Sequence, residues 1–157
     1  MARETIRQYS LIPPISFPQL YGVFSIHKIL IRFYPLLREV ICIYVHTSDD
    51  IELLSIKQGL PHHELKSALA IGLGHHFLHN VGTYVHGLNE GVLESQAKDF
   101  ASLLLMPQYN FNKDYNSLQD IIEAFGVPKK LVHRRLQLED RLASLSTGDL
   151  SNYLDIK

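Results

Sequence analysis

The chain has 157 residues, 46% of them hydrophobic and 20% charged, and a formal net charge of −1. That length suits one domain with a buried core, the composition is ordinary for a globular protein, and the near-zero charge excludes a global attraction to nucleic acid or anionic membrane. Cys42 is the only cysteine, which rules out an intramolecular disulfide and fits a reducing, cytoplasmic setting.

The first seventeen residues, MARETIRQYSLIPPISF, carry basic residues with no apolar run behind them, so they do not read as a secretory signal. No stretch reaches the roughly 18 apolar residues of a membrane helix. Residues 1–17 read as an arm, because Pro13, Pro14 and Pro18 oppose a helix there. Residues 18–145 read as one domain and 146–157 as a tail with weak signals. PQLYGVFSIHKIL has helical spacing, with Pro18 suited to its first turn. EVICIYVHT and IELLSIK read as strands joined by a turn at Ser48, Asp49 and Asp50. They predict a small antiparallel hairpin, with IRFY as a candidate third strand.

GLPHH is a connector, and the spacing predicts a helix from Glu64 to His79. NVGTYVHGLNEG reads as a loop rich in Gly and Asn. VLESQAKDFASLLLMP predicts a second helix, with Val92, Leu93, Ala97, Phe100, Ala101, Leu104 and Leu105 facing inward and Pro107 ending it. SLQDIIEAFG is a helix stopped by Gly126, and PKKLVHRRLQLEDRLASL another opened by Pro128. A helix, a small sheet, then helices is an α+β order.

Six of the nine histidines fall between His62 and His86. The pair His62–His63 reads as solvated loop. The stretch SALAIGLGHHFLHN is different, because His75 and His79 lie four apart on one helix face, a spacing at which two imidazoles can share a metal ion. A zinc-peptidase helix carries His-Glu-x-x-His, the glutamate taking a proton from metal-bound water. If His75 is the second histidine of such a motif, Ile71 stands for the first and Gly72 for the glutamate. The other reading of these histidines is structural, with His75 and His76 partly buried on backbone partners and His79 near the helix end. On the next helix Glu94 lies on a stripe with Ala97 and Ala101. Small residues there admit a neighbouring helix, and a carboxylate on such a face needs a partner, a metal or a histidine of the preceding helix. An exposed first-turn glutamate is the alternative.

LGHHFLH at 73–79 and ESQAKDFASLLLMP at 94–107, with DIIEAFGVPKKLVHRRL at 120–136, resemble the ImmA/IrrE family of metallopeptidases. The family's second segment has the form E-x-x-A-x-x-F-A-x-x-L-L-M-P, matched here at every fixed position. The resemblance covers roughly residues 40–138. It implies a zincin-like core, a small antiparallel sheet packed on the histidine helix and followed by helices. It also implies a role in cleaving a helix-turn-helix repressor, releasing genes of mobile elements or stress responses. Carried over, His75 is the second histidine and Glu94 the glutamate ligand. Ile71 and Gly72 replace the first histidine and the catalytic glutamate, so no catalytic residue is assigned.

Three functions follow. The first is a family-like regulatory protein that engages a repressor with reduced or absent peptidase activity and weak or absent zinc. The second is an active zinc enzyme with a site shifted to His75, His79 and Glu94, displaced about 5 Å along the helix. The third is a DNA-binding module through residues 120–138, where Lys129, Lys130, Arg134 and Arg135 lie near the second helix. Flanking acids and the net charge argue against this third function, and a solvated basic face is its plain alternative.

Overall fold

The computed structural model describes residues 1–88, 91–107, 115 and 117–144. Among the described residues it is an α+β fold of ten elements. They are α1 (Ala2–Gln8), α2 (Phe17–Ile26), β1 (Leu30–Tyr34), β2 (Cys42–His46), β3 (Glu52–Lys57), α3 (His62–Leu78), β4 (Gly82–His86), α4 (Val92–Leu105), α5 (Leu118–Phe125) and α6 (Lys129–Ser144).

The sheet runs β1-β3-β2-β4. The expected hairpin is present: β2 and β3 pair antiparallel from Cys42↔Ile56 to His46↔Glu52. Asp50 turns the chain with φ +60°, a conformation that aspartate tolerates through its short polar side chain. The IRFY segment is a strand, but it pairs parallel to β3, from Leu30↔Leu53 to Tyr34↔Lys57. The chain runs from β1 through residues 35–41 and the whole of β2 before β3, so β1 and β3 enter the sheet in the same direction. A fourth strand, β4, lies antiparallel to β2 from Cys42↔His86 to His46↔Gly82. The loop expected across 80–91 is corrected there, because the alternation of GTYVH outweighs the flanking Gly and Asn.

The helix-free arm expected at 1–17 is also corrected. The prolines lie downstream of Ala2–Gln8, which forms α1, and Ala2, Leu11 and Ile15 are buried in the core. The tail expected at 146–157 lies outside the described residues.

Helix α3 is the centre of the fold. Lys66 to His75 are buried without interruption, so the helix is enclosed on all sides rather than amphipathic. Each fully buried Leu or Ile there contributes about 1.5–3 kcal/mol relative to exposure. Its one buried lysine, Lys66, donates to the Phe125 carbonyl at 2.5 Å, and burial pushes its pKa down. Helix α4 packs against α3 through the predicted apolar stripe, except that Val92 and Leu93 are exposed. They occupy the first turn, where Glu94 rather than either apolar residue turns inward. Ser117 caps α5 by accepting from the Asp120 N–H at 3.2 Å, and Gly126 ends it in the left-handed conformation. No helix among the described residues is long and apolar enough to cross a membrane.

Candidate functional site

Two glycines of α3 set its neighbours. A Cβ at Gly74 would stand 2.8 Å from the Ala97 carbonyl oxygen and 2.9 Å from its Cα. The helices therefore meet backbone to backbone at the stripe of small residues. A Cβ at Gly72 would stand 2.7 Å from Leu54 Cδ2 on β3. With α4 held that close, Glu94, three residues before Ala97, reaches His75, the residue after Gly74.

His75 Nε2 lies 3.1 Å from Glu94 Oε2, and the two residues are 2% and 6% exposed. The other carboxylate oxygen accepts from His86 Nδ1 of β4, with the Lys98 ammonium 3.6 Å away. Burial alone would raise the Glu94 pKa. The hydrogen bonds and charges of His75 and His86 more than offset it and hold the group at about 2. The His75 ring stacks on Tyr84 at 4.6 Å between centroids and lies nearly parallel to Tyr44 at 6.2 Å. The site is a buried carboxylate hydrogen-bonded to two histidines and paired with one ammonium, beside an aromatic wall.

His79 approaches the other side of the same imidazole. Its Nδ1 is 2.9 Å from His75 Nδ1, and its Nε2 is 3.2 Å from Gln96 Oε1. Burial lowers its pKa. His76, the residue that takes the glutamate's place in a shifted motif, turns away from this centre toward Glu52, at 2.5 Å, and His27, at 2.9 Å. Ile71 is 1% exposed and, with Ser67, His86 and Lys98, lines a cavity of about 570 Å³ beneath α6.

A catalytic zinc needs three protein ligands aimed at one point and an open position. His75 presents Nε2 to Glu94 and Nδ1 to His79, and one ring can give only one nitrogen to one ion. As arranged, His75, His79 and Glu94 do not fit a zinc ion; they fit a closed hydrogen-bonded node.

His86 and Tyr84 complete this site and escape the sequence reading because their segment reads as a loop. Period-two alternation in TYVH, which puts Tyr84 and His86 on one face, was the available signal.

The α5–α6 pair uses its arginines internally. Arg134 Nε donates to Asp99 Oδ1 at 2.6 Å and its Nη2 to the Ser95 carbonyl at 3.0 Å. Arg135, 2% exposed, donates to the Met106 carbonyl at 3.0 Å. Of the four basic residues that suggested a DNA-binding helix, only Lys129 and Lys130 are exposed.

A peptidase family model described as the IrrE N-terminal-like domain matches residues 25–137. No curated protein matches the chain.

Proposed function

The chain belongs to the ImmA/IrrE family, and we propose on that basis that it is a regulatory member with reduced or absent peptidase activity that engages a helix-turn-helix repressor. The observation that carries the reading is Gly72. It stands where the family's catalytic glutamate would be, and a Cβ there would stand 2.7 Å from Leu54 Cδ2. Loss of a general base costs on the order of 10² to 10⁴ in rate. Ile71 in place of the first histidine removes a ligand as well, so the two defects compound.

The chain's own residues then do structural work at the former centre. Glu94 joins α4 to α3 through His75 and to the sheet through His86, and Lys98 balances its charge. Partner binding is a separate property. In this reading it uses the cleft rim, the segment Tyr84 to Asn89 and the helix pair after Asp120, none of which requires residues 71 or 72. A cytoplasmic setting and a role in mobile-element or stress genes belong to the same proposal, the first drawn from the single cysteine and the second from the family.

The test is incubation of the untagged protein with excess zinc and a candidate helix-turn-helix repressor, following cleavage and co-elution together. Co-elution without cleavage is the expected result. Zinc-dependent cleavage that stops on His79→Ala would replace this reading with the shifted site. Neither cleavage nor co-elution would leave the family assignment without the proposed role.

A further inference from the structure

We propose that the β2–β3 hairpin carries a binding site for a divalent first-row transition-metal ion, with His46, Asp50 and Glu52 as ligands and Tyr44 and His76 holding Glu52 in place. This site is distinct from the His75–Glu94 node and shares no ligand with it.

The sequence brings the three ligands together by register and turn. His46 lies directly opposite Glu52 in the last pair of the ladder, so the two side chains project on the same face. Asp50 sits between them in the turn, with its side chain returned toward His46 by its left-handed backbone. One ligand atom from each residue lies within 4.8 Å of the other two, and His46 Nε2 is 3.1 Å from Asp50 Oδ1. Donors bound tetrahedrally at ~2.1 Å are roughly 3.4 Å apart. Small side-chain rotations therefore close the site, with no movement of the backbone.

Glu52 is the observation that points to a ligand. Its side chain is 11% exposed. One oxygen, Oε2, accepts from the hydroxyl of buried Tyr44 and from His76 Nδ1 at 2.5 Å. The other, Oε1, accepts no hydrogen bond from the described residues. That oxygen reaches solvent, so it is available to a cation held by the adjacent His46 and Asp50. The support behind Glu52 is what ligating carboxylates require, since outer-shell hydrogen bonds fix their orientation. Here the support continues from His76 Nε2 to His27 Nδ1 at 2.9 Å and from His27 Nε2 to the Tyr9 hydroxyl at 2.5 Å. The Asp50 side chain is 90% exposed and that of His46 21%, which gives the ion a path in and leaves positions for water.

The donor set names the metal class. An imidazole with two carboxylates suits zinc and its neighbours better than magnesium or calcium, which favour all-oxygen shells.

The experiment is calorimetric titration of the untagged full chain with zinc chloride, with cobalt(II) absorption as a second readout. Asp50→Asn is the main variant, because the turn is exposed and asparagine tolerates the left-handed backbone. His46→Ala removes a second ligand, Tyr44→Phe removes the support and His75→Ala is the control, each checked by circular dichroism. The expected result is one ion per chain, bound at least about 10–100-fold more weakly in Asp50→Asn, His46→Ala and Tyr44→Phe, and unchanged in His75→Ala. Absence of zinc binding would overturn the proposal. So would binding that survives His46→Ala and disappears in His75→Ala, or that is lost equally in both.

Discussion

Replacing Gly72 with alanine sets two known effects against each other. Alanine in place of glycine within a helix gains about 1 kcal/mol of propensity. At this position the new methyl would meet Leu54 Cδ2 at 2.7 Å, Cδ1 at 2.9 Å and Cγ at 3.3 Å. Ordinary carbon contacts lie at about 3.5–4.0 Å, so the Leu54 side chain must retreat by almost an ångström. Leu54 is fully buried and sits in a packed core, where such overpacking costs about 1–3 kcal/mol. The clash therefore wins, and Gly72→Ala is expected to be about 1 kcal/mol less stable than the wild type. Leu54→Ala alone should cost about 2–5 kcal/mol through the cavity it leaves. Combined with Gly72→Ala it should cost less than the sum, because the new methyl enters the vacated space, with a coupling of about 1–3 kcal/mol. Urea unfolding followed by circular dichroism at neutral pH measures all four proteins of the cycle. A Gly72→Ala protein about 1 kcal/mol more stable than wild type, with additive effects in the double variant, would refute the claim that Leu54 seals this position. The functional corollary is Gly72→Glu, which carries a carboxylate into the same contact. It should be less stable than Gly72→Ala and restore no peptidase activity by itself.

Glu94→Gln should destabilise the protein by about 1–3 kcal/mol at neutral pH, since it removes the charge that two histidines and Lys98 surround. The folded carboxyl is held at about 2, against 4.5 ordinarily, so its contribution is fully present above about 4.5 and is lost as pH falls toward 2. The stability gap between wild type and variant, measured by denaturant titration, should narrow over that window; a gap independent of pH would contradict the assignment. Gly74→Ala places a methyl against the Ala97 backbone, which cannot move aside as a side chain can. It should cost more than Gly72→Ala, about 2–3 kcal/mol, read as a fall of several degrees in Tm. An unchanged Tm would refute the close approach of α3 and α4. Arg134→Ala removes the tie from α6 to Asp99 and Ser95 and should lower stability by about 1–3 kcal/mol. If it instead weakens binding to duplex DNA at unchanged stability, the basic face works outward and the internal reading fails.

The sequence by itself determined the described helices from α2 onward, though not α1, and the pairing of the two central strands. Those signals are local: Pro18 opens a helix, Gly126 closes one, and the turn at Ser48–Asp50 joins two runs of β-branched and aromatic residues. It also pointed to His75 as a partner of Glu94, with an exposed glutamate as the alternative, and the structure brings the two together. The stripe of Glu94, Ala97 and Ala101 describes a helix face that admits a close neighbour and carries one buried carboxylate, and the histidine helix is the neighbour that can answer it. Helical spacing also fixed Ile71 as the residue one turn before His75, with Gly72 beside it.

Only the tertiary structure decided which nitrogen of His75 faces which partner. Helical spacing puts His75 and His79 on one face, yet ring orientation depends on where Glu94 arrives from α4, and that makes the difference between ligands that converge and ligands on opposite sides of one ring. His86 became part of the site only when β4 joined β2, a pairing between segments some forty residues apart that local composition disguised as a loop. The direction of β1 was equally non-local, because parallel or antiparallel pairing follows from the route of the chain and not from the strand's residues. Adjacent histidines with unlike fates show the same limit. His75 and His76 differ by about 100° around the helix axis, enough to send one toward α4 and the other toward the sheet, where packing against Glu94 on one side and Glu52 on the other gave each its chemistry.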